Sequence, residues 1–148
     1  MHEPVLTVVG NIGRAPRQRA LANGTIVADF RLASTPRRFD KASSTWSDGD
    51  TTWFGVTCWR VLAEHCALSL HKGDRVIVTG RLTTRTWVNE QGEERSGLEI
   101  DATAVGFDLT RGPAVQTRVV RTGPTEPEVI EPEALEPAPE QAPEAAAA

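Results

Sequence analysis

Tyrosine is absent from this chain and phenylalanine occurs only four times, yet there are four tryptophans. An aromatic set skewed this far needs an explanation. Cysteine is nearly absent too: two residues cannot build a disulfide framework or a four-cysteine zinc site. The three histidines, His2, His65 and His71, have no carboxylate or cysteine at a ligand spacing, so no metal site is expected. No apolar run approaches the ~18 residues that cross a bilayer. The opening Met1-His2-Glu3-Pro4 lacks a signal peptide's charged and apolar regions, so the expectation is a soluble cytoplasmic protein with no membrane partner. A phosphate-cradling Gly-x-x-x-x-Gly-Lys loop is missing. His65 beside Cys66 makes no nucleophile pair, because adjacent helical residues diverge by about 100°. Neither an enzyme nor a cofactor is expected.

The net charge of −4 argues against whole-chain attraction to a polyanion, but the charge is uneven. Residues 113–148 hold seven glutamates against Arg118 and Arg121, a net of −5, which leaves residues 1–112 at +1. The same stretch holds most of the prolines and almost no large apolar residue. It cannot bury enough surface to offset the entropy of ordering, so a disordered acidic tail is expected over 113–148 and a folded domain over 1–112.

The body reads as all-β with one helix. Leu6 to Ile12 is a strand rich in β-branched residues, ended by Gly13 and Pro16, and Asn23-Gly24 is a hairpin dipeptide. Ile26, Ala28, Phe30 and Leu32 alternate with Asp29 and Arg31 on a second strand, and Pro36 stops it. Residues 36–50 read as a polar loop. A third strand over about 51–60 separates Phe54, Val56 and Cys58 from Trp53, Gly55, Thr57 and Trp59. Ala63, Cys66, Ala67 and Leu70 mark a helix over 61–71, with Gly73 as its C′ residue. A fourth strand, about 75–87, turns Val76, Val78, Gly80 and Leu82 inward and Arg75, Arg81, Arg85 and Trp87 outward. A fifth, about 96–108, turns Leu98, Ile100, Ala102 and Ala104 inward. The order β-β-β-α-β-β is that of an OB-fold, a five-stranded Greek-key barrel that binds oligonucleotides or oligosaccharides.

Trp53, Trp59 and Trp87 therefore lie off the core, near Arg81 and Arg85, while Phe39 and Trp46 sit on a loop with Arg37, Arg38 and Lys41. Rings interleaved with cations suit a single strand, whose bases stack while its phosphates are neutralised. Aromatics in this pattern also fill subunit interfaces, so a protein–protein module is the competing reading. Nothing selects for or against the 2′-hydroxyl, so single-stranded RNA is a third. Cys58 and Cys66 both fall on core-directed stripes. Two reduced buried thiols are expected, the alternatives being an intrachain or an intersubunit disulfide.

Four stretches, in order and spanning about 5–108, resemble the bacterial single-stranded DNA-binding protein family. They are Leu6 to Pro16, Asn23-Gly24 with Val27 to Ala33, Thr52 to Glu64, and Lys72 to Leu82 with Arg85 and Trp87. The resemblance implies an OB-fold homotetramer, cytoplasmic and nucleoid-associated, that binds single-stranded DNA without strong sequence preference in replication, recombination, repair or chromosome segregation. The resemblance places Trp53, Trp59 and Trp87, Phe39 or Trp46, Arg85 and Lys72 on the DNA path, to which the interleaved residues add Arg37, Arg38, Lys41, Arg60 and Arg81 as candidates. Phe54 falls where the family often places an interface histidine. Members usually end in an acidic tip closed by Pro-Phe that recruits replication and repair enzymes. Here the last residues are Ala145–Ala148, so a secondary paralogue without recruitment through the tip is expected.

Overall fold

The structure, a computed structural model, describes residues 2–120 and 128–130. Among the described residues, nine strands and one α-helix follow one another as β1 (Val5–Ala20), β2 (Ile26–Ser34), β3 (Arg37–Asp40), β4 (Thr45–Asp48), β5 (Thr52–Trp59), α1 (Arg60–Ser69), β6 (Arg75–Val88), β7 (Glu94–Phe107), β8 (Arg118–Val120) and β9 (Glu128–Ile130). Five of them close a barrel in the order β1-β2-β5-β7-β6, with β6 returning to β1. Only β5 and β7 run parallel. This is the OB-fold expected from the element order. The chain divides into two units, Met1–Gly112 and Pro113–Ala148.

Alternation on the barrel strands fills its interior. Val8 and Ile12, Ala28, Phe30 and Leu32, Phe54, Val56 and Cys58, Val76 and Val78, and Ile100 and Ala102 are buried together. Helix α1 packs Ala63 and Cys66 against them, and Leu70 at its C-cap completes the contact. Phe30 is among the largest fully buried side chains, and truncating it to alanine is expected to cost about 3–5 kcal/mol. Cys58 and Cys66 are free, buried and face one another; the hydrogen bond to Cys66 together with burial pushes the Cys58 thiol up.

Several local expectations are corrected. Strand β1 does not stop at Gly13 but continues to Ala20, because irregularities at Ile12/Arg14 and Arg14/Arg17 absorb Gly13, Ala15 and Pro16 while pairing with β2 persists. Only Gly24 of Asn23-Gly24 has positive φ, at +83°. Gly24 N donates to Leu21 O and Leu21 N to Thr25 O, so a three-residue loop with a glycine bulge replaces the two-residue turn. The supposed loop 36–50 contains the β3–β4 hairpin. Gly73 does not cap α1, which ends four residues earlier at Ser69; its φ of +94° serves the turn before β6. A bulge at Thr79/Gly80 shifts the inward side of β7, so Val105 packs against the core and Ala104 is exposed. The disordered tail expected over 113–148 falls largely outside the described residues. Within that stretch β8 and β9 pair antiparallel.

Candidate nucleic-acid interface

The outer face of the barrel between β1 and β6 is read from the register. Residues directly paired across strands share a face, so Ala33 and Trp53, Arg31 and Gly55, and Asp29 and Thr57 lie side by side. On the other side of β5, Gly55 adjoins Glu99 and Thr57 adjoins Asp101. Beyond β7, Gly97 adjoins Arg85, and Asp101 adjoins Arg81. Strand pairing thus collects Trp53, Trp59, Arg81, Arg85 and Trp87, from two distant parts of the sequence, on one face. Trp53 is 46% exposed, Trp59 42% and Trp87 45%, so each ring has surface left for a ligand.

Two of these rings lie on glycine. A Cβ at Gly13 would come 2.5 Å from the Trp53 ring, and one at Gly97 3.1 Å from that of Trp87. A side chain at either position would collide with the indole edge, so glycine leaves the room each ring occupies. The Arg31 guanidinium stands 5.8 Å from the Trp53 ring centroid, within reach of a cation–π contact.

At the other end of the face the groups are tied to one another. Trp59 donates its indole N–H to Asp101 over 2.6 Å. Arg81 donates to the second Asp101 oxygen over 2.9 Å and to Glu3 over 2.7 Å. Glu3 first, then Asp101, raises the Arg81 guanidinium above its usual range. Arg81 Nε is shut off from solvent with no hydrogen-bond partner among the described residues. Arg85 reaches Glu99 loosely, over 3.4 Å. A shallow notch of about 170 Å³ lies among Trp59, Arg81, Glu99 and Asp101.

The hairpin carries a second aromatic group. Phe39 and Trp46 are directly paired, their ring centroids 5.2 Å apart at 53°. The Arg37 guanidinium lies 5.5 Å from the Trp46 ring, with Asp48 3.7 Å away. Arg38 alternates to the opposite face of the hairpin with Ser47, and Lys41 sits in its turn. The hairpin leaves the barrel where Ser34 pairs with Thr52, next to Trp53, and its base is held by Gly49 N on Pro36 O and by the Thr35 and Thr51 hydroxyls. Lys72 sits in a turn pinned to β1 by Gly73 N on Ile12 O, one residue from the Trp53 seat. Arg60, with φ of +54°, occupies the β5–α1 junction just past Trp59.

Phe54, expected by resemblance at a subunit interface position, is 7% exposed within this single chain and belongs to the barrel core. Gly13, Gly97, Arg31 and Asp101 do not stand out in the sequence. Their roles depend on what lies across the strand, and period-2 alternation alone does not show that. Among the described residues no group of three His, Cys, Asp or Glu side chains could hold a metal ion. No described helix is long and apolar enough to cross a membrane.

A small closed barrel that exposes tryptophans among guanidinium groups is the build of an oligonucleotide-binding OB-fold. The chain belongs to the single-strand binding protein family, whose model matches residues 5–108. It is 47% identical over 118 residues to the single-stranded DNA-binding protein of Corynebacterium glutamicum, a match covering 80% of this chain and 52% of that one. The chain thus spans about half the length of that relative. It is 46% identical over 122 residues to single-stranded DNA-binding protein 1 of Streptomyces coelicolor, covering 82% and 77% of the two chains. The crystal structure of the small single-stranded DNA-binding protein from Streptomyces coelicolor superposes with a TM-score of 0.70 at 46% identity, covering 76% of this chain and 100% of that one.

Proposed function

We propose that this chain binds single-stranded DNA without strong sequence preference and protects it while it is exposed in replication, recombination, repair or segregation. The carrying observation is the set of three half-exposed tryptophans on one barrel face, two of them with a ring edge against a glycine. An indole held on a strand is a platform for any base, because every base has a π-face. Trp53 and Trp87 lie at one end of the face, and the Phe39–Trp46 pair extends the platform from there. Trp59 lies six residues along β5, about 20 Å away at ~3.3 Å per residue. Arg37, Arg85 and Lys72 neutralise phosphates along this path, with Arg38, Lys41 and Arg60 at its margins. The mechanism is non-catalytic: stacking holds the bases and the cations release counterions.

Residues 1–112 act as the binding unit and 113–148 as its tail. Assembly into a homotetramer belongs to the same reading. It is supported by family membership and by Val5, Val9 and Ile77, which stand exposed on the outer side of β1 and β6. A cytoplasmic, nucleoid-associated location follows from the ligand.

Titrating the protein with dT oligomers of increasing length, while following tryptophan fluorescence, tests the proposal. Strong quenching that saturates with length is expected. No change on adding any oligomer would overturn it in favour of a protein–protein module. Competition by RNA oligomers equal to that by DNA would replace DNA with single-stranded nucleic acid in general.

A further inference from the structure

The formal charges on the two flanks of the face do not count equally. Arg81, the most obvious cation by position, is bracketed by Glu3 and Asp101, so its site carries a net negative charge. A phosphate approaching it would meet two carboxylates already bound to the guanidinium. Arg31 is the reverse case. It is exposed, stands over the Trp53 ring, and has no carboxylate within 4.0 Å among the described residues. Arg14 lies directly across from it on β1. Arg14 and Arg19 share a single carboxylate, Asp29, at 3.1 and 3.7 Å, and Arg17 pairs with none among the described residues. Four guanidiniums therefore face one acid on the β1–β2 flank.

Building on the reading of single-stranded DNA as ligand, we propose that Arg31 binds the phosphodiester beside the base stacked on Trp53, and that the β1–β2 flank, not Arg81, carries the phosphate path at the centre of the face. The geometry supports this in three ways. The indole contact holds the guanidinium beside the ring on which a base would stack. Its N–H donors have no acid to leave before meeting a phosphate oxygen. The neighbouring Arg14, Arg17 and Arg19 keep the local potential positive, which draws a polyanion along β1.

The test compares salt dependence of binding to a dT oligomer, read by tryptophan fluorescence, for the full chain and for Arg31→Ala, Arg31→Lys and Arg81→Ala. Each phosphate contact contributes a slope of ~0.7 in log affinity against log salt. Arg31→Ala is expected to flatten the slope by about that amount, so a fourfold rise in salt weakens it roughly 2.5-fold less than the parent. Arg31→Lys keeps the charge and should restore most of the slope, which a purely structural role for Arg31 would not produce. Arg81→Ala should leave the slope unchanged. An unaltered slope in Arg31→Ala, or a loss in Arg81→Ala as large, overturns the assignment while leaving DNA binding intact. A parent chain that binds no oligomer overturns both.

Discussion

The β1–β2 and β6–β7 flanks of the same outer face carry similar groups and use them differently. Near β6 and β7, two cations face three acids: Arg81 is held by Glu3 and Asp101, its charge spent within the protein, while Arg85 meets Glu99 only loosely. Near β1 and β2, Asp29 is the single acid among Arg14, Arg17, Arg19 and Arg31. Both flanks still carry an indole seated on glycine, Trp87 over Gly97 and Trp53 over Gly13. Stacking platforms are thus distributed across the face, while available positive charge is concentrated on one side. Counting arginines on an outer face overstates its attraction for phosphate when those arginines already have hydrogen-bonded acids.

The sharpest way to break this comparison is to remove the platforms. Trp53→Ala and Trp87→Ala should each weaken binding of a dT oligomer by ~1–3 kcal/mol, and by much the same amount for dC or mixed oligomers. If only one flank matters for stacking, one of the two variants will bind like the parent in a fluorescence titration. A subtler cut removes a seat and keeps the ring. Gly13→Ala should lift the Trp53 indole off β1 and cost part of the Trp53→Ala loss, with the same thermal midpoint within a few degrees. Affinity equal to the parent would mean the ring stacks in any pose.

Charge can be tested in the opposite direction. Glu3→Gln frees Arg81 from one acid, so affinity should rise at low salt and the log–log slope should steepen by up to ~0.7. No change in slope would show that Asp101 alone keeps Arg81 from DNA. The smallest expected effect belongs to the tail. Removing residues 113–148 takes away seven glutamates whose charge repels a polyanion, and should raise affinity slightly, at low salt only. Circular dichroism of the truncated chain should match the parent, and loss of β signal would contradict a self-sufficient 1–112 domain.

Much of the barrel is legible in the amino-acid sequence, because burial on one side of a strand writes itself as a period of two. Phe54, Val56 and Cys58 against Trp53 and Trp59, or Phe30 and Leu32 against Arg31, separate core from surface without knowledge of neighbours. Bulges escape for the same reason. An irregularity such as that near Thr79 breaks the period locally, so alternation alone puts Ala104 inside and Val105 outside, the reverse of where they lie. The β3–β4 hairpin escapes because its four-residue strands are exposed throughout, which leaves no alternation to read.

By itself the sequence determined which residues face inward wherever the strand period runs unbroken, where the helix falls, how charge divides between body and tail, and which aromatic rings are left outside the core. These are local properties, set by side-chain chemistry and the period of the backbone. Which cations remain available was decided only by the tertiary structure. Arg81 meets Glu3 across 78 residues and Trp59 meets Asp101 across 42, contacts that arise when the barrel closes and register brings distant strands together. A strand's own pattern says which way a side chain points, and only the closed sheet says what it points beside.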